Sequence, residues 1–209
     1  DARVAAAMDT MMGRHVGEIT ALLKKLGIYQ NTLMFFTSDN GAAKRFDGIH
    51  NSSGVMQGKK RSLNEGGIRV PMVVRWPDKI KAGRVSSHPW YFPDVMPTFA
   101  EIGGVSTEVP EDIDGISILP TLLDKGVQKQ HEYMFWQYGV RAVRSGKWKG
   151  IGKGGHLYLY DLSEDIEEKN DLSSKHPKIA ARMKKYITIG YREPRSQKDD
   201  GKYTGKDKK

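Results

Sequence analysis

From Val4 to Leu26 the apolar residues recur in steps of three and four, at Val4, Met8, Met11/Met12, Val16, Ile19, Leu22/Leu23 and Leu26. The spacing predicts one long amphipathic helix, with Gly27 placed to end it and an apolar stripe that has to pack on another element. A few residues on, Leu33-Met34-Phe35-Phe36-Thr37 is a short, continuous apolar run, as in strands buried on both faces of an α/β sheet. A helix followed by such a strand is half of a βαβ unit, and ligands of open α/β sheets gather at the carboxyl ends of the strands. Asp39 and Asn40 fall at that end. Taken alone, Ser38-Asp39-Asn40-Gly41 is an ordinary turn sequence; its position is what makes it a candidate site.

The remaining bulk properties mainly exclude. No apolar run approaches the ~20 residues of a membrane helix, and the first residues lack the cationic and apolar regions of a signal peptide. The absence of cysteine rules out disulfides, thiolate metal sites and a cysteine nucleophile within these 209 residues. The net charge of +9 is concentrated: residues 175–209 hold 12 Lys and Arg against 4 Asp and Glu, whereas the rest of the chain is nearly neutral. The end REPRSQKDDGKYTGKDKK is expected to be a solvated, flexible tail. No interleaved aromatics or binding module accompany it, so nucleic acid is not an expected partner, and neither is a membrane.

Between the two candidate strands runs a loop of about 25 residues, long enough to expect a function for it. It carries His50, Asn51 and the basic cluster Lys59-Lys60-Arg61, and leads through Glu65-Gly66-Gly67 into a second strand within VPMVVRW. Residues 93–102 read as a helix closed by Gly103-Gly104. From Tyr133 the texture changes to short, partly alternating segments, YMFWQY, VRAVRS, KWKGIG and HLYLYDL, as in an antiparallel meander, followed by an amphipathic helix over 177–187. The expected organisation is an α/β body over residues 1–128, a small antiparallel sheet with a helix over 129–190, and a basic tail over 191–209.

Asp39 and Asn40 offer only oxygen donors, which suit a hard cation, and two are too few for a calcium ion that takes about six to eight. They would be half a site. The Lys60 ammonium, arriving on the following loop, could neutralise an anionic substrate group or a leaving oxygen; an ordinary solvated basic loop is the simpler alternative. His50 and Asn51 face the same region in this reading and could touch a substrate. His88, Trp136, Tyr138 and Trp148 read as packing residues, with a sugar-binding rim as a lesser alternative for the aromatics. Asn51-Ser52-Ser53 fits a glycosylation acceptor, a triplet common by chance.

Read together, NTLMFFTSDNGA, GKKRSLNEGGIRVPMVVRWP, HPWYFPDVMPTFAEIGG and DGISILPTLL resemble the type I sulfatases, arylsulfatase-like members of the alkaline phosphatase-like superfamily. RAVRSGKWKGI and LYDLSEDIEEKNDL resemble their carboxyl-terminal subdomain. The resemblance implies an alkaline phosphatase-like α/β sandwich followed by the small antiparallel subdomain. It also implies hydrolysis of sulfate esters, with a sulfated small molecule or glycan as partner, and a periplasmic or secreted location; it implies no oligomeric state. By residue-for-residue match, Asp39 and Asn40 correspond to two ligands of the family's catalytic calcium. Lys60, five residues ahead of Glu65, corresponds to the lysine that contacts the sulfate and the leaving-group oxygen. Glu65, Gly66, Gly67 and Arg69 match the same motif, with Glu65 and Arg69 expected to fix the lysine loop. The family's formylglycine nucleophile, made within a C/S-x-P-x-R motif, and its remaining metal ligands have no match in these residues. The chain therefore resembles a carboxyl-terminal portion, inactive by itself. A phosphatase or phosphodiesterase of the superfamily, whose corresponding strand ends in Asp-His, and a non-catalytic scaffold or anion-binding module are the alternative readings.

Overall fold

The computed structural model describes residues 2–44 and 50–192. They divide into two compact units, Asp1–Ser38 with Pro71–Gln130, and Asp39–Val70 with His131–Lys209. The expected tail over 191–209 lies outside the described residues beyond Arg192.

In the first unit α1 spans Ala2–Lys25. Gly27 ends it at φ +72, with its N–H on the Lys24 carbonyl and the Ile28 N–H on that of Leu23, a left-handed cap that glycine adopts without strain. The apolar stripe does not pack as its periodicity predicts. Val4, Met8, Met11, Met12, Ile19, Leu22 and Leu26 are exposed and only Ala5 is buried. Strand β1 (Met34–Thr37) pairs antiparallel with β2 (Met72–Arg75) in a two-stranded sheet. The expected burial of this strand on both faces is not met among the described residues. With one neighbouring strand in the described residues, Phe36 and Val73 stay on the surface.

Helix α3 (Val95–Ile102) follows a single 3-10 turn at Phe92–Asp94, and the short α4 spans Leu119–Leu123. The fully buried Asp94 organises this region, because its carboxylate accepts the N–H of Tyr91 (3.0 Å) and of Ile116 (2.8 Å). Thr98 extends the clamp by donating to the Asp94 carbonyl and accepting the Ile118 N–H. Phe35, Trp90, Phe92 and Phe99 form an aromatic cluster at an open apolar recess of about 550 Å³. No described helix is long and apolar enough to cross a membrane.

In the second unit β3 (Met134–Tyr138), β4 (Val140–Ser145), β5 (Trp148–Lys153) and β6 (His156–Asp161) form an antiparallel meander in sequence order, as their alternation predicts. Helix α5 (Pro177–Ile189) covers one face, where Met183, Ala180 and Tyr186 pack on Val143, Leu157 and Leu159. At Gly150 an added Cβ would come within 2.9 Å of the Met183 Cβ, so the glycine admits α5 close to the sheet. Side chains alternate along β5, so Lys149 and Ile151 point to the opposite face. There Ala142, Ile151, Tyr160 and Leu162 pack with Leu63, which precedes the one-turn helix α2 (Glu65–Ile68).

Candidate active site

The segment that begins with Asp39 and Asn40 is held to the Lys60 loop through backbone contacts. The Gly41 N–H donates to the Gly67 carbonyl at 2.9 Å, and the Lys60 N–H donates to the Ala42 carbonyl at 2.8 Å. The chain is close-packed here, backbone on backbone. A Cβ on Gly41 would overlap the Gly66 carbonyl oxygen and lie 2.8 Å from its carbon and 2.9 Å from the Gly67 Cα. A Cβ on Gly67 would sit 2.6 Å from the Lys59 carbonyl oxygen, and one on Gly66 2.5 Å from that of Gln57. Gly41, Gly66 and Gly67 are thus three glycines required by close approach, which is the physical content of the D-N-G and E-G-G spacing.

Around this turn the side chains divide by exposure. Asp39 and Lys60 are exposed and Asn40 is half-buried. The structure thus brings together, by main-chain bonds, the segments carrying the three expected site residues. His50 and Asn51 are exposed on the same long loop, with Asn51 in the left-handed region at φ 47. Trp136 packs against the Leu63 side of the meander, Trp148 lies against α5 with its ring 5.0 Å from that of His176, and Tyr138 is exposed. His88, in the first unit, is half-buried with its Nδ1 3.4 Å from Gln130 Nε2.

Glu65 is buried, and besides the expected Arg69 it meets two partners that the sequence did not single out, Lys149 and Glu168. Glu65 Oε1 accepts from Lys149 Nζ at 2.8 Å, while Arg69 and Arg144 approach Oε2 at 3.7 and 3.9 Å. Lys149 is fully buried in β5 and lies 3.0 Å from Glu168 Oε1 as well. Glu168 Oε2 accepts the Glu65 N–H at 2.7 Å, and its own carbonyl accepts from Gln57 Nε2 at 3.2 Å. Glu168 holds this position at φ 53, an uncommon conformation for a side chain of its size. Burial pushes the Glu168 carboxyl above the usual range, opposed by the Lys149 ammonium and the Glu65 N–H. On the same face, burial and then the Glu168 charge raise the Tyr160 phenol to about 12. Arg144 is lowered by burial, against the pull of Glu65. The signal that could have singled out Lys149 is its phase: it stands in register with Arg144 and Tyr160 and two positions from the inward Ile151.

The described residues contain no group of three or more His, Cys, Asp or Glu side chains disposed to hold a metal. Asp39 and Asn40 fit a hard cation as oxygen donors and as a partial ligand set.

Known families and solved structures match most of the chain. Residues 6–105 match the Sulfatase family, and residues 57–191 match the N-sulphoglucosamine sulphohydrolase C-terminal family. Human steryl-sulfatase is 40% identical over 200 residues, covering 76% of this chain and 34% of that protein. The N-acetylgalactosamine-6-O-sulfatase of Bacteroides thetaiotaomicron is 32% identical over 203 residues, covering 82% and 39%. A structure from the glycosaminoglycan-metabolising locus of the same organism superposes with a TM-score of 0.71 at 30% identity, over 84% of this chain and 42% of that one. A further solved structure, in complex with its substrate D-glucosamine-2-N,6-O-disulfate, superposes with a TM-score of 0.67 at 26% identity, over 85% of this chain and 37% of that one. The chain spans about 22 to 39% of the length of the curated relatives it matches. The fold is the α/β sulfatase fold, and the chain belongs to the type I sulfatase family, of which it carries carboxyl-terminal sequence.

Proposed function

We propose that this chain supplies one side of a sulfatase active site that hydrolyses sulfate esters of a small molecule or glycan. Asp39 and Asn40 would hold a calcium ion, and Lys60 would bind the sulfate and the oxygen of the departing alcohol or phenol. The nucleophile would be a formylglycine on a segment bearing C/S-x-P-x-R. Bound calcium would supply positive charge against the sulfate oxygens and lower the pKa of a hydroxyl near it. The oxygen-only donor pair favours a hard cation over zinc, for which an imidazole would be the better ligand. Lys60 contributes a compact charge where the leaving oxygen becomes negative, which acts most strongly in the transition state. The reading is supported by the main-chain bonds of Gly41 to Gly67 and of Lys60 to Ala42, which tie the Asp39-Asn40 turn to the lysine loop. Relatives named for sulfated sugars and the neighbour bound to D-glucosamine-2-N,6-O-disulfate support a sulfated sugar as the substrate class. A periplasmic or secreted location goes with such substrates.

The test is turnover of aryl and glycan sulfates by the protein that joins this chain to a formylglycine segment. Asp39→Ala and Lys60→Ala should each lower kcat by about a hundredfold or more, with the first also weakening the response to added calcium. Near-normal turnover of sulfate esters in both variants would refute the assignment, as would faster turnover of phosphate than sulfate esters in the unmodified protein.

A further inference from the structure

We infer that Lys149 and Glu168, on the carboxyl-terminal meander and the loop after it, are positioning residues for the Asp39-Asn40 turn and Lys60. For its bearing on catalysis this rests on the function proposed above; the clamp itself does not. Lys149 is too deeply buried to meet a substrate, yet it carries a charge that is costly to bury without a purpose or a partner. It has two partners, Glu65 at 2.8 Å and Glu168 at 3.0 Å, and Glu168 in turn takes the Glu65 N–H. Both ends of Glu65, backbone and side chain, are therefore fixed by residues 84 and 103 positions away in the chain.

What Glu65 transmits is main-chain position. The next two residues are Gly66 and Gly67, packed against the carbonyls of Gln57, Gly58, Lys59 and Ser62 so tightly that neither tolerates a Cβ. Gln57 is tied from both sides, through its carbonyl to the Gly66 N–H (2.7 Å) and through its side chain to the Glu168 carbonyl (3.2 Å). Gly67 then accepts the Gly41 N–H, directly beside Asn40, and Lys60 donates to Ala42. From Lys149 to Asn40 the path consists of buried ionic contacts followed by backbone hydrogen bonds, with no flexible side chain between Glu65 and Gly41. Two arginines, Arg69 and Arg144, stand near Glu65 Oε2 and balance the second carboxylate of the cluster.

The experiment is amide hydrogen exchange, by NMR, on the 209-residue chain carrying Lys149→Met, Glu168→Ala or Glu168→Gln. Losing the cation leaves two carboxylates facing each other, and Glu168→Ala deletes the acceptor of the Glu65 N–H. Both variants should speed exchange at the Gly41 and Lys60 amides by about tenfold or more, while the β3–β4 amides change by less than about twofold. Glu168→Gln keeps an acceptor oxygen and should restore most of the protection. Unchanged Gly41 and Lys60 exchange in either disruptive variant would overturn the inference, and so would an equal rise across β3–β4. If Lys149→Met does not fold, Glu168→Ala decides alone. In the formylglycine-bearing protein, Glu168→Ala should lower kcat with KM unchanged within about twofold, since a misplaced Lys60 is felt most in the transition state. Should Lys60→Ala leave turnover intact there, the proposed function fails while the exchange result still judges the clamp.

Discussion

Replacing Gly41 by alanine adds one carbon where the structure leaves no room for it. The new Cβ would overlap the Gly66 carbonyl oxygen and press to 2.8 Å from its carbon and 2.9 Å from the Gly67 Cα. These neighbours are backbone atoms, themselves braced on the far side by the carbonyls of Gln57, Gly58 and Ser62, so they cannot turn aside as a side chain would. Gly41 is not in the left-handed region, so the penalty comes from crowding and not from φ. Overpacking of this kind costs about 1–3 kcal/mol, and losing the Gly41 to Gly67 hydrogen bond adds about 1 kcal/mol. The expected destabilisation is therefore about 2–4 kcal/mol, a large share of the ~5–15 kcal/mol that holds a typical domain folded. In urea, at a slope of about 2 kcal/mol per M, the midpoint should fall by about 1–2 M. Gly13 on α1 is the matched control, because an added Cβ there meets nothing within 4 Å. Gly13→Ala should stabilise by about 0.5–1 kcal/mol through helix propensity alone. A Gly41→Ala midpoint within ~0.3 M of the unmodified chain, with the control behaving as expected, would refute the argument from close approach.

Other perturbations test separate parts of the molecule. Asp94→Ala strips two buried N–H groups, of Tyr91 and Ile116, of their acceptor and should cost about 2–4 kcal/mol in the same denaturation assay. Met183→Ala empties a fully buried position between α5 and the meander and should cost about 2–5 kcal/mol, with the loss of α5 helicity read by circular dichroism. Burial pushes the Asp171 carboxyl upward, but hydrogen bonds from Leu159, His156 and Ser173 overcome this and hold it at about 2. Its stabilisation is present above the unfolded value near 4 and is lost as pH falls toward 2, worth about 1 kcal/mol once solvent screening is allowed for. Asp171→Asn should flatten stability against pH across that window. The Tyr160 phenol, held near 12, should be the tyrosine whose removal by Tyr160→Phe deletes the most alkaline step of the ultraviolet titration.

The helix of residues 2–25, the four strands of the meander, α3 and α5 are legible along the chain because each rests on local periodicity and on a stop signal such as Gly27 or Gly103-Gly104. The ordered pair D-N-G and E-G-G is also legible, and so is the approach of Lys60 to the turn that carries Asp39. What the sequence reading missed is Lys149. A lysine in a Gly- and Lys-rich strand looks solvated until its neighbours across β4 and β6 are known.

By itself, then, the amino-acid order determined which segments are helical or extended, where backbone must turn tightly, and that two oxygen donors, Asp39 and Asn40, follow directly on β1. Tertiary structure alone decided that β1 pairs antiparallel with β2, that the α1 stripe stays exposed, and that Glu65 meets Lys149 and Glu168. The reason is range. Periodicity and turn chemistry act over a few residues, whereas strand pairing and the burial of a charge depend on groups 84 and 103 positions apart, whose meeting is set by packing.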